Sequence, residues 1–184
     1  MTTAPQGSDS RRLRLVTRHG HVDGSVPVNP RVATLRYLNI TAATQHFIVM
    51  SPPIEPSAGW NVADGALAMT IDSLLFVQEL TDCAPFPSDR AAAALYERCA
   101  IRLSVGDYAV EGYLHMPPGS NPISRLNQNN HPFFALSAVS VVGPDTQFAA
   151  PFLAIKRSEV IALQAVDTHH ALDDVIESEV FTSC

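Results

Sequence analysis

Cysteine is scarce in this chain of 184 residues, and the three that occur, Cys83, Cys99 and Cys184, form no spaced pair. An odd number of scattered cysteines argues against a disulfide framework and fits a reducing compartment. Long apolar runs are also lacking: no stretch approaches about 18 uninterrupted apolar residues, so the sequence predicts no transmembrane helix. The polar first ten residues have no apolar core like that of a secretory signal. We therefore expect a cytoplasmic protein.

Signatures of catalysis are missing as well. The sequence contains no GxSxG elbow, no P-loop and no GxGxxG fingerprint, which are the usual signs of a hydrolase nucleophile, a phosphate cradle and a dinucleotide site. Ser104 and Ser137 fall in predicted strands with no local catalytic pattern, and Cys99 has no obvious activating neighbour. We expect a protein that is not an enzyme and that uses no cofactor.

Charge is low, and its balance is acidic. Charged residues make up 16% of the chain and the net charge is −6, whereas a nucleic-acid binder needs a basic face. The one basic cluster, Arg11, Arg12, Arg14 and Arg18, alternates with leucines, which predicts a strand with a solvated face. Because 46% of the residues are apolar, the composition favours a subunit of a larger assembly over a free monomer.

What the chain does contain is an internal repeat. At a shift of 88 residues, seven pairs are identical without a gap: Arg14/Arg102, Leu15/Leu103, Val22/Val110, Gly24/Gly112, Pro30/Pro118, Leu38/Leu126 and Asn39/Asn127. After a slip of two residues the match resumes, with Phe47–Met50 facing Phe133–Leu136 and Leu67–Thr70 facing Leu153–Lys156. A repeat defines the unit of folding, so we predict two modules. Modules this small bury only about 60% of their unfolded surface and are expected to pack on each other or on a partner.

Each module is predicted to be mainly β. Period-two alternation at Leu13 and Leu15 and from Val22 to Val28 predicts two half-buried strands, joined by a tight turn in which Gly20 can adopt a positive φ. The spacing of Val32–Leu38 predicts a short helix or 3₁₀ turn that Asn39 closes in a left-handed conformation. An acidic residue before Gly24 and before Gly112 predicts a bulge or a close backbone approach in both copies. The remaining predicted strands are 47–50, 66–71, 73–78, 101–105, 110–116, 133–142, 151–157 and 160–166, with a loop at 51–59 and a helical piece at 123–126.

Five short strands and one helical turn in each copy predict a small, partly open β-barrel of the Sm-like or OB-like kind, with a two-layer sheet as the alternative. We divide the chain into a disordered lead (1–10), a first barrel (11–80), a Pro-rich linker with a helix (81–98), a second barrel (99–166) and an acidic amphipathic helix (167–184). The linker helix is predicted over 88–98, where Ser88 can cap a run of alanines. The C-terminal helix has an apolar face that must cover a barrel, a sister subunit or a partner: Leu172, Val175, Ile176, Val180 and Phe181.

Two pairs of side chains, each with a histidine, are candidates for a metal site. His19 and His21 lie two residues apart on an extended segment, but the second copy has Asp107 in place of His19, and exposed turn residues are the favoured interpretation. His170 and Asp174 share a helix face, and an acidic, solvated helix face is the favoured interpretation. The single tryptophan, Trp60, lies in a Pro/Gly-rich loop and is either a binding anchor or a cover for its own small core.

Several short motifs resemble an uncharacterised family of small bacterial β-barrel domains. They are Gly112–Pro117, Arg125–Asn127, Phe133–Leu136 and Ile155–Ile161, and they are matched more loosely in the first copy by Gly24–Pro30, Leu38-Asn39 and Phe47–Met50. The resemblance covers about two thirds of the chain, implies no catalytic residue and implies an accessory or scaffold part of a larger complex. More distantly, the chain resembles scaffold subunits of actinobacterial uptake hydrogenases, which organise catalytic subunits around themselves.

The two copies share glycine, proline, Leu-Asn and strand hydrophobics, whereas the histidines, cysteines and tryptophan are not shared. The repeat therefore preserves a shape. Three hypotheses follow: a non-catalytic scaffold or accessory subunit with protein partners in a homo- or hetero-oligomer, a module that binds a small ligand or regulates, and a metal-dependent enzyme. The first is preferred, with no nucleic acid as partner and no transmembrane segment.

Overall fold

The computed structural model describes residues 10–29, 32–57, 65–80, 96–144 and 146–166. Within these ranges the fold is mainly β, as the sequence predicts, and its ten strands form one antiparallel sheet that does not close. Neither α-helix in the described ranges has the length and apolar character needed to cross a membrane. The division of the sheet into two small barrels stays a prediction.

The first copy of the repeat, called repeat 1 below, supplies five strands and one α-helix. Its elements are β1 (Ser10–Thr17), β2 (Gly20–Pro27), α1 (Thr34–Thr44), β3 (Phe47–Pro56), β4 (Leu67–Thr70), a 3₁₀ turn (Ile71–Ser73) and β5 (Leu74–Glu79). Repeat 2 contributes the same order: β6 (Glu97–Val105), β7 (Tyr108–Met116), α2 (Pro122–Gln128), β8 (Phe133–Val142), β9 (Gln147–Lys156), a 3₁₀ turn (Arg157–Glu159) and β10 (Val160–Ala165). The duplication seen in the sequence is thus a duplication of the element order.

Three predicted boundaries are wrong. The expected loop at 51–59 is strand as far as Pro56, because β3 resumes pairing with β2 after a register shift, and Pro52 and Pro53 fall in that irregular part. Proline is tolerated there because a bulge needs no ladder N–H. The linker helix does not extend to residue 98, since Glu97 and Arg98 begin β6 and pair with β7. The predicted disordered lead does not extend to residue 10, since Ser10 begins β1. Residues 1–9, residues 88–95 of the predicted linker helix and the predicted C-terminal helix at 167–184 lie outside the described residues.

The prediction that Asn39 closes the first helical turn is also wrong. Helix α1 continues to Thr44, and Asn39 lies in its middle. The matching Asn127 is likewise inside α2, one residue before the last. Asparagine is only a moderate helix former, so its position within both helices calls for another explanation, which the contacts of its side chain supply below.

The sheet runs in the order β10-β6-β7-β8-β9-β5-β1-β2-β3-β4. The described strands of repeat 2 therefore lie on one side and those of repeat 1 on the other. Among these strands, the only pairing between the repeats is that of β9 with β5. The two terminal strands of the sheet are β10, from repeat 2, and β4, from repeat 1. Each of them has one side that no described strand covers.

Two hydrophobic clusters fill the interior, and both cross from one repeat to the other. The cluster of repeat 1 includes Phe133 and Ala154 from repeat 2. The cluster of repeat 2 includes Leu75 and Phe76 from β5, and Phe76 meets the Tyr108 ring edge-on at a centroid distance of 5.1 Å. The repeats are therefore held together by shared apolar burial, in the way that small modules require.

The two glycines that the repeats share, Gly24 and Gly112, lie where the sequence predicts an irregularity. The register of β2 against β3 shifts at Gly24, and that of β7 against β8 shifts at Gly112. A Cβ atom on Gly112 would lie 3.2 Å from the carbonyl oxygen of Ser137 and 3.1 Å from a methyl of Val139. At Gly24 the nearest atoms belong to the side chain of Met50, the closest being its terminal methyl at 3.0 Å. The turn prediction is confirmed too, since Gly20 has a φ of 124°.

Gly112→Ala is expected to destabilise the protein by about 1–3 kcal/mol, because a backbone oxygen cannot move aside as a side chain can. Gly24→Ala serves as the matched control and is expected to cost less, since the methionine side chain is flexible. Urea unfolding followed by circular dichroism measures both. Equal losses at the two sites would contradict the explanation.

Candidate interaction surfaces

The structure describes only some of the residues that the sequence singled out. His19 lies in the turn between β1 and β2, and His21 is the second residue of β2. In the described part of the chain, no group of three or more His, Cys, Asp or Glu side chains could hold a metal ion. The other predicted site residues lie outside the described ranges, and their roles stay predictions: Trp60, His170, Leu172, Asp174, Val175, Ile176, Val180 and Phe181.

His19 and His21 instead line a cleft where turns of the two repeats meet. The cleft has a volume of about 420 Å³ and is also lined by Arg18, Asp107 and Tyr108. Asp107 is the repeat 2 counterpart of His19, so the fold brings together two positions that are equivalent in the sequence. The Arg18 guanidinium donates to Glu159 at 2.8 Å, which fixes one wall across the boundary between the repeats. Such a volume suits a small ligand.

The side chains of Ser137 and His115 form a hydrogen bond, with 2.7 Å between Oγ and Nε2. Burial lowers the pKa of His115, and the nearby charge of Arg98 lowers it further. A catalytic triad needs a carboxylate to orient the histidine, and the hydrogen bonds of His115 within the described residues include none. This pair is therefore interpreted as a cross-strand contact between β7 and β8.

The lowered pKa of His115 makes stability depend on pH. The unfolded chain, with a histidine pKa of about 6.5, accepts a proton before the folded protein does. The stabilisation is therefore fully present above about pH 6.5 and falls as the pH drops through the lower folded-state pKa. We expect His115→Gln to show a smaller loss of unfolding free energy between about pH 7.5 and 5 than the parent chain in urea titrations. An unchanged loss would contradict the assignment.

The basic cluster on β1 is neutralised by carboxylates. Its four ion pairs are Arg11–Glu79 at 3.0 Å, Arg12–Glu55 at 2.7 Å, Arg14–Asp23 at 2.8 Å and Arg18–Glu159 at 2.8 Å. The hydrogen bond to Asp23 raises the pKa of Arg14, and repeat 2 has the same cross-strand pair in Arg102 and Glu111. These arginines bind partners within the fold and do not form the open cationic face that phosphate backbones need.

The junction between the repeats combines a strand ladder with contacts of nearby side chains. Strands β5 and β9 pair with Phe76 opposite Ile155, Val77 opposite Ala154 and Gln78 opposite Leu153. At one end of this ladder, the Lys156 ammonium donates to the carbonyl oxygen of Asp72 at 2.8 Å. The Asp72 carboxylate itself is largely exposed, so its charge adds little to the stability of the junction.

Phe133 and Asn39 stabilise one face of the junction by packing and hydrogen bonding. The Phe133 side chain, from the start of β8, is only 1% exposed and packs in the cluster of repeat 1. The Asn39 side chain, from α1, reaches the backbone of the same residue: its Nδ2 donates to the Phe133 carbonyl at 3.1 Å, and its Oδ1 accepts from the Phe133 N–H at 2.8 Å. This contact explains why an asparagine is placed in the middle of a helix.

The repeat supplies a counterpart for every part of this junction, at the two ends of the sheet. Phe47 corresponds to Phe133 and is 48% exposed; Asn127 corresponds to Asn39 and is exposed. On β10, Ile161 corresponds to Leu75 and is 73% exposed, whereas Leu75 is 1% exposed. Within the described ranges β4 pairs only with β3, and β10 only with β6.

We name these two regions the β4 end (β4 with Phe47 and Val49) and the β10 end (β10 with Asn127). Sequence reasoning identified neither Phe47 nor Asn127 as an interaction residue. The available signal is the Leu-Asn pair and the phenylalanine that follows it in both copies, a pattern that by itself predicts only a shared scaffold. No family model, curated protein or solved structure matches this chain.

Proposed function

We propose that this chain is a non-catalytic scaffold or accessory subunit, and that its two similar modules, each a small partly open barrel, organise the subunits of a larger complex. One observation carries the proposal. Phe133 is buried in the junction between the repeats, while Phe47, the same residue type at the aligned position, is half exposed at the end of the sheet. The same apolar position is thus covered by protein in one repeat and exposed to solvent in the other. We interpret the exposed position as a site of protein contact.

The chemistry of the open surfaces supports the same function. Phe47 and Val49 project from neighbouring positions of one face of β3, and both are close to half exposed. Ile161 at the opposite end of the sheet is the most exposed of the large apolar residues described. Aromatic and aliphatic side chains grouped in this way favour protein association, and a chain of low charge has little to oppose it. The resemblance to hydrogenase scaffold subunits suggests catalytic subunits of a redox complex among the partners.

The proposal is tested on the complex formed in the cells that make the protein. The full chain carrying a small affinity tag is isolated at its natural level, and the mass of the particle is measured by native mass spectrometry. We expect a particle of fixed stoichiometry, well above the 19.9 kDa of one chain, that is lost or reduced in Phe47→Asp. A single-chain mass for the parent protein overturns the proposal.

A second candidate function is favoured by the cleft of about 420 Å³ beside His19 and His21. Its lining combines the aromatic ring of Tyr108 with the polar groups of Arg18 and Asp107, which is typical of a small-ligand site. Thermal-shift measurements with a panel of small polar metabolites test it. Binding that raises the melting temperature of the parent chain and fails in His19→Ala supports a ligand-binding or regulatory module; no response to any compound removes this candidate.

A further inference from the structure

We propose that copies of this chain associate head to tail, with β4 of one copy pairing antiparallel to β10 of the next. The inference rests on the proposed scaffold function and names one partner, a second copy of the same chain. It extends an interface that already exists, because β9 and β5 are the repeat counterparts of β4 and β10. The sheet would thus continue from one chain into the next by the pairing that joins the repeats within a chain.

The internal junction fixes the register of the proposed one. Inside the chain, Val77 lies opposite Ala154, flanked by the pairs Phe76–Ile155 and Gln78–Leu153. The strands of the two repeats align at a shift of 86 residues here, as the pairs Glu79–Leu13 and Ala165–Ile101 require. Transferring the pairs gives Leu163 opposite Ala68, with Ala162 opposite Met69 and Gln164 opposite Leu67.

The side chains beside β4 and β10 include counterparts of those that stabilise the β5–β9 junction. Phe47 of one copy would pack on repeat 2 of its neighbour, as Phe133 packs on repeat 1. Asn127 of the neighbour would then bind the backbone of Phe47, as Asn39 binds that of Phe133. Ile161 would be covered as Leu75 is. One association therefore accounts for an exposed phenylalanine, an exposed isoleucine and an asparagine inside a short helix.

Neither end strand, β4 (Leu-Ala-Met-Thr) or β10 (Val-Ile-Ala-Leu-Gln-Ala), contains a charged residue or proline, two of the features that keep free strand edges from pairing. The register of β10 against β6 shifts at Ile161, and β5, which does pair with β9, has the same shift against β1 at Leu75. The ion pair between Lys156 and Asp72 is replaced by Thr70 and Ser158 at the counterpart positions. With no ion pair at this position, the association is expected to change little with salt. Because the two ends differ, the contact is heterologous and builds rings or open chains of copies.

The first test uses the purified full chain alone, in light scattering after size-exclusion chromatography. The parent protein should have a mass that is a multiple of 19.9 kDa. Phe47→Asp spoils only the β4 end and Ile161→Asp only the β10 end, and both residues are exposed, so each variant should fold and run as a single chain. Circular dichroism and melting curves verify the folding.

Mixing the two variants distinguishes head-to-tail pairing from other contacts. The intact β10 end of Phe47→Asp can pair with the intact β4 end of Ile161→Asp, and no further copy can add. We expect a 1:1 mixture to give a dimer of twice 19.9 kDa that neither variant forms alone. Asn127→Ala in the first variant should weaken this dimer about tenfold or more, as the loss of two hydrogen bonds predicts.

The register is tested with disulfides in a chain whose three cysteines are replaced by serine. Ala68→Cys in one copy and Leu163→Cys in another should cross-link on mild oxidation, and Ala68→Cys with Ala162→Cys, one residue out of register, should cross-link poorly. Equal yields overturn the proposed pairing.

A parent chain that is a single chain when purified overturns the inference, even where the particle isolated from cells is large; the scaffold proposal then stands with a different partner. Assembly that occurs only after removal of residues 167–184 would also overturn the inference. It would mean that the C-terminal segment of the chain covers one end of the sheet. A single-chain mass in both preparations overturns both proposals.

Discussion

Replacing Phe133 by alanine is expected to lower the free energy of unfolding by about 3–5 kcal/mol, which is the usual cost of emptying a buried phenylalanine site. The side chain is 1% exposed and joins the cluster of repeat 1, although it belongs to repeat 2. The cavity would therefore open at the junction, where β9 meets β5 and where neither repeat alone can close it. Guanidinium unfolding at low protein concentration, where copies are dissociated, measures the loss.

Phe47→Ala is the matched control, because it makes the same chemical change at the aligned position of the other repeat. Phe47 is already 48% exposed, so we expect a loss of less than about 1 kcal/mol in the dissociated chain. Comparable losses for the two phenylalanines would show that burial at the junction does not contribute to folding as described. A two-step unfolding curve for Phe133→Ala would indicate that the repeats had become independent.

Asn39→Ala is expected to cost about 2–4 kcal/mol. The substitution removes two hydrogen bonds and leaves both the N–H and the C=O of Phe133 without them at the junction, each at a cost of about 1–3 kcal/mol when buried. Alanine is the better helix former, and this offsets the loss of unfolding free energy by about half a kcal/mol. A large net loss would therefore be due to the hydrogen bonds and not to helix propensity. Chemical unfolding of the dissociated chain again gives the difference.

Asn39→Asp separates the two bonds, since a carboxylate still accepts from the Phe133 N–H but cannot donate to its carbonyl. Because its second oxygen would face the Phe133 carbonyl oxygen in place of the Nδ2 donor, we expect a loss at least as large as that of Asn39→Ala. Asn127→Ala is the control in repeat 2 and should leave the stability of the dissociated chain nearly unchanged. A stabilising effect of Asn39→Ala would mean that helix propensity outweighs the contact with Phe133.

The elements of this fold could be predicted because each depends on a local pattern. The strand 133–142 was predicted to the residue, and the bulges at Gly24 and Gly112 followed from glycines in the middle of alternating segments. The duplication then predicted the recurrence of the element order. The errors occurred where tertiary pairing outweighs local preference: a proline-containing segment became strand, and the start of β6 replaced the end of a predicted helix.

The interaction surfaces could not be predicted in the same way. Phe47 and Phe133 are the same residue type in the same local pattern, and only the neighbour across the sheet makes one exposed and the other buried. Asn39 appeared to end a helix because asparagine often does so, whereas its side chain binds a residue 94 positions away. Alternation shows which face of a strand is buried, but not which edge it pairs with.

The β5–β9 junction also limits the stoichiometry that assemblies of this protein can have. Because it joins the repeats within one polypeptide, repeats are always supplied in pairs. A closed particle built from such chains contains an even number of repeats. Its rotational symmetry number is at most half the number of repeats. In the head-to-tail association proposed above, junctions inside a chain and junctions between chains would alternate around such a particle. Mutations could therefore stabilise the junction within each chain while the junction between chains stays weak enough for chains to dissociate and exchange.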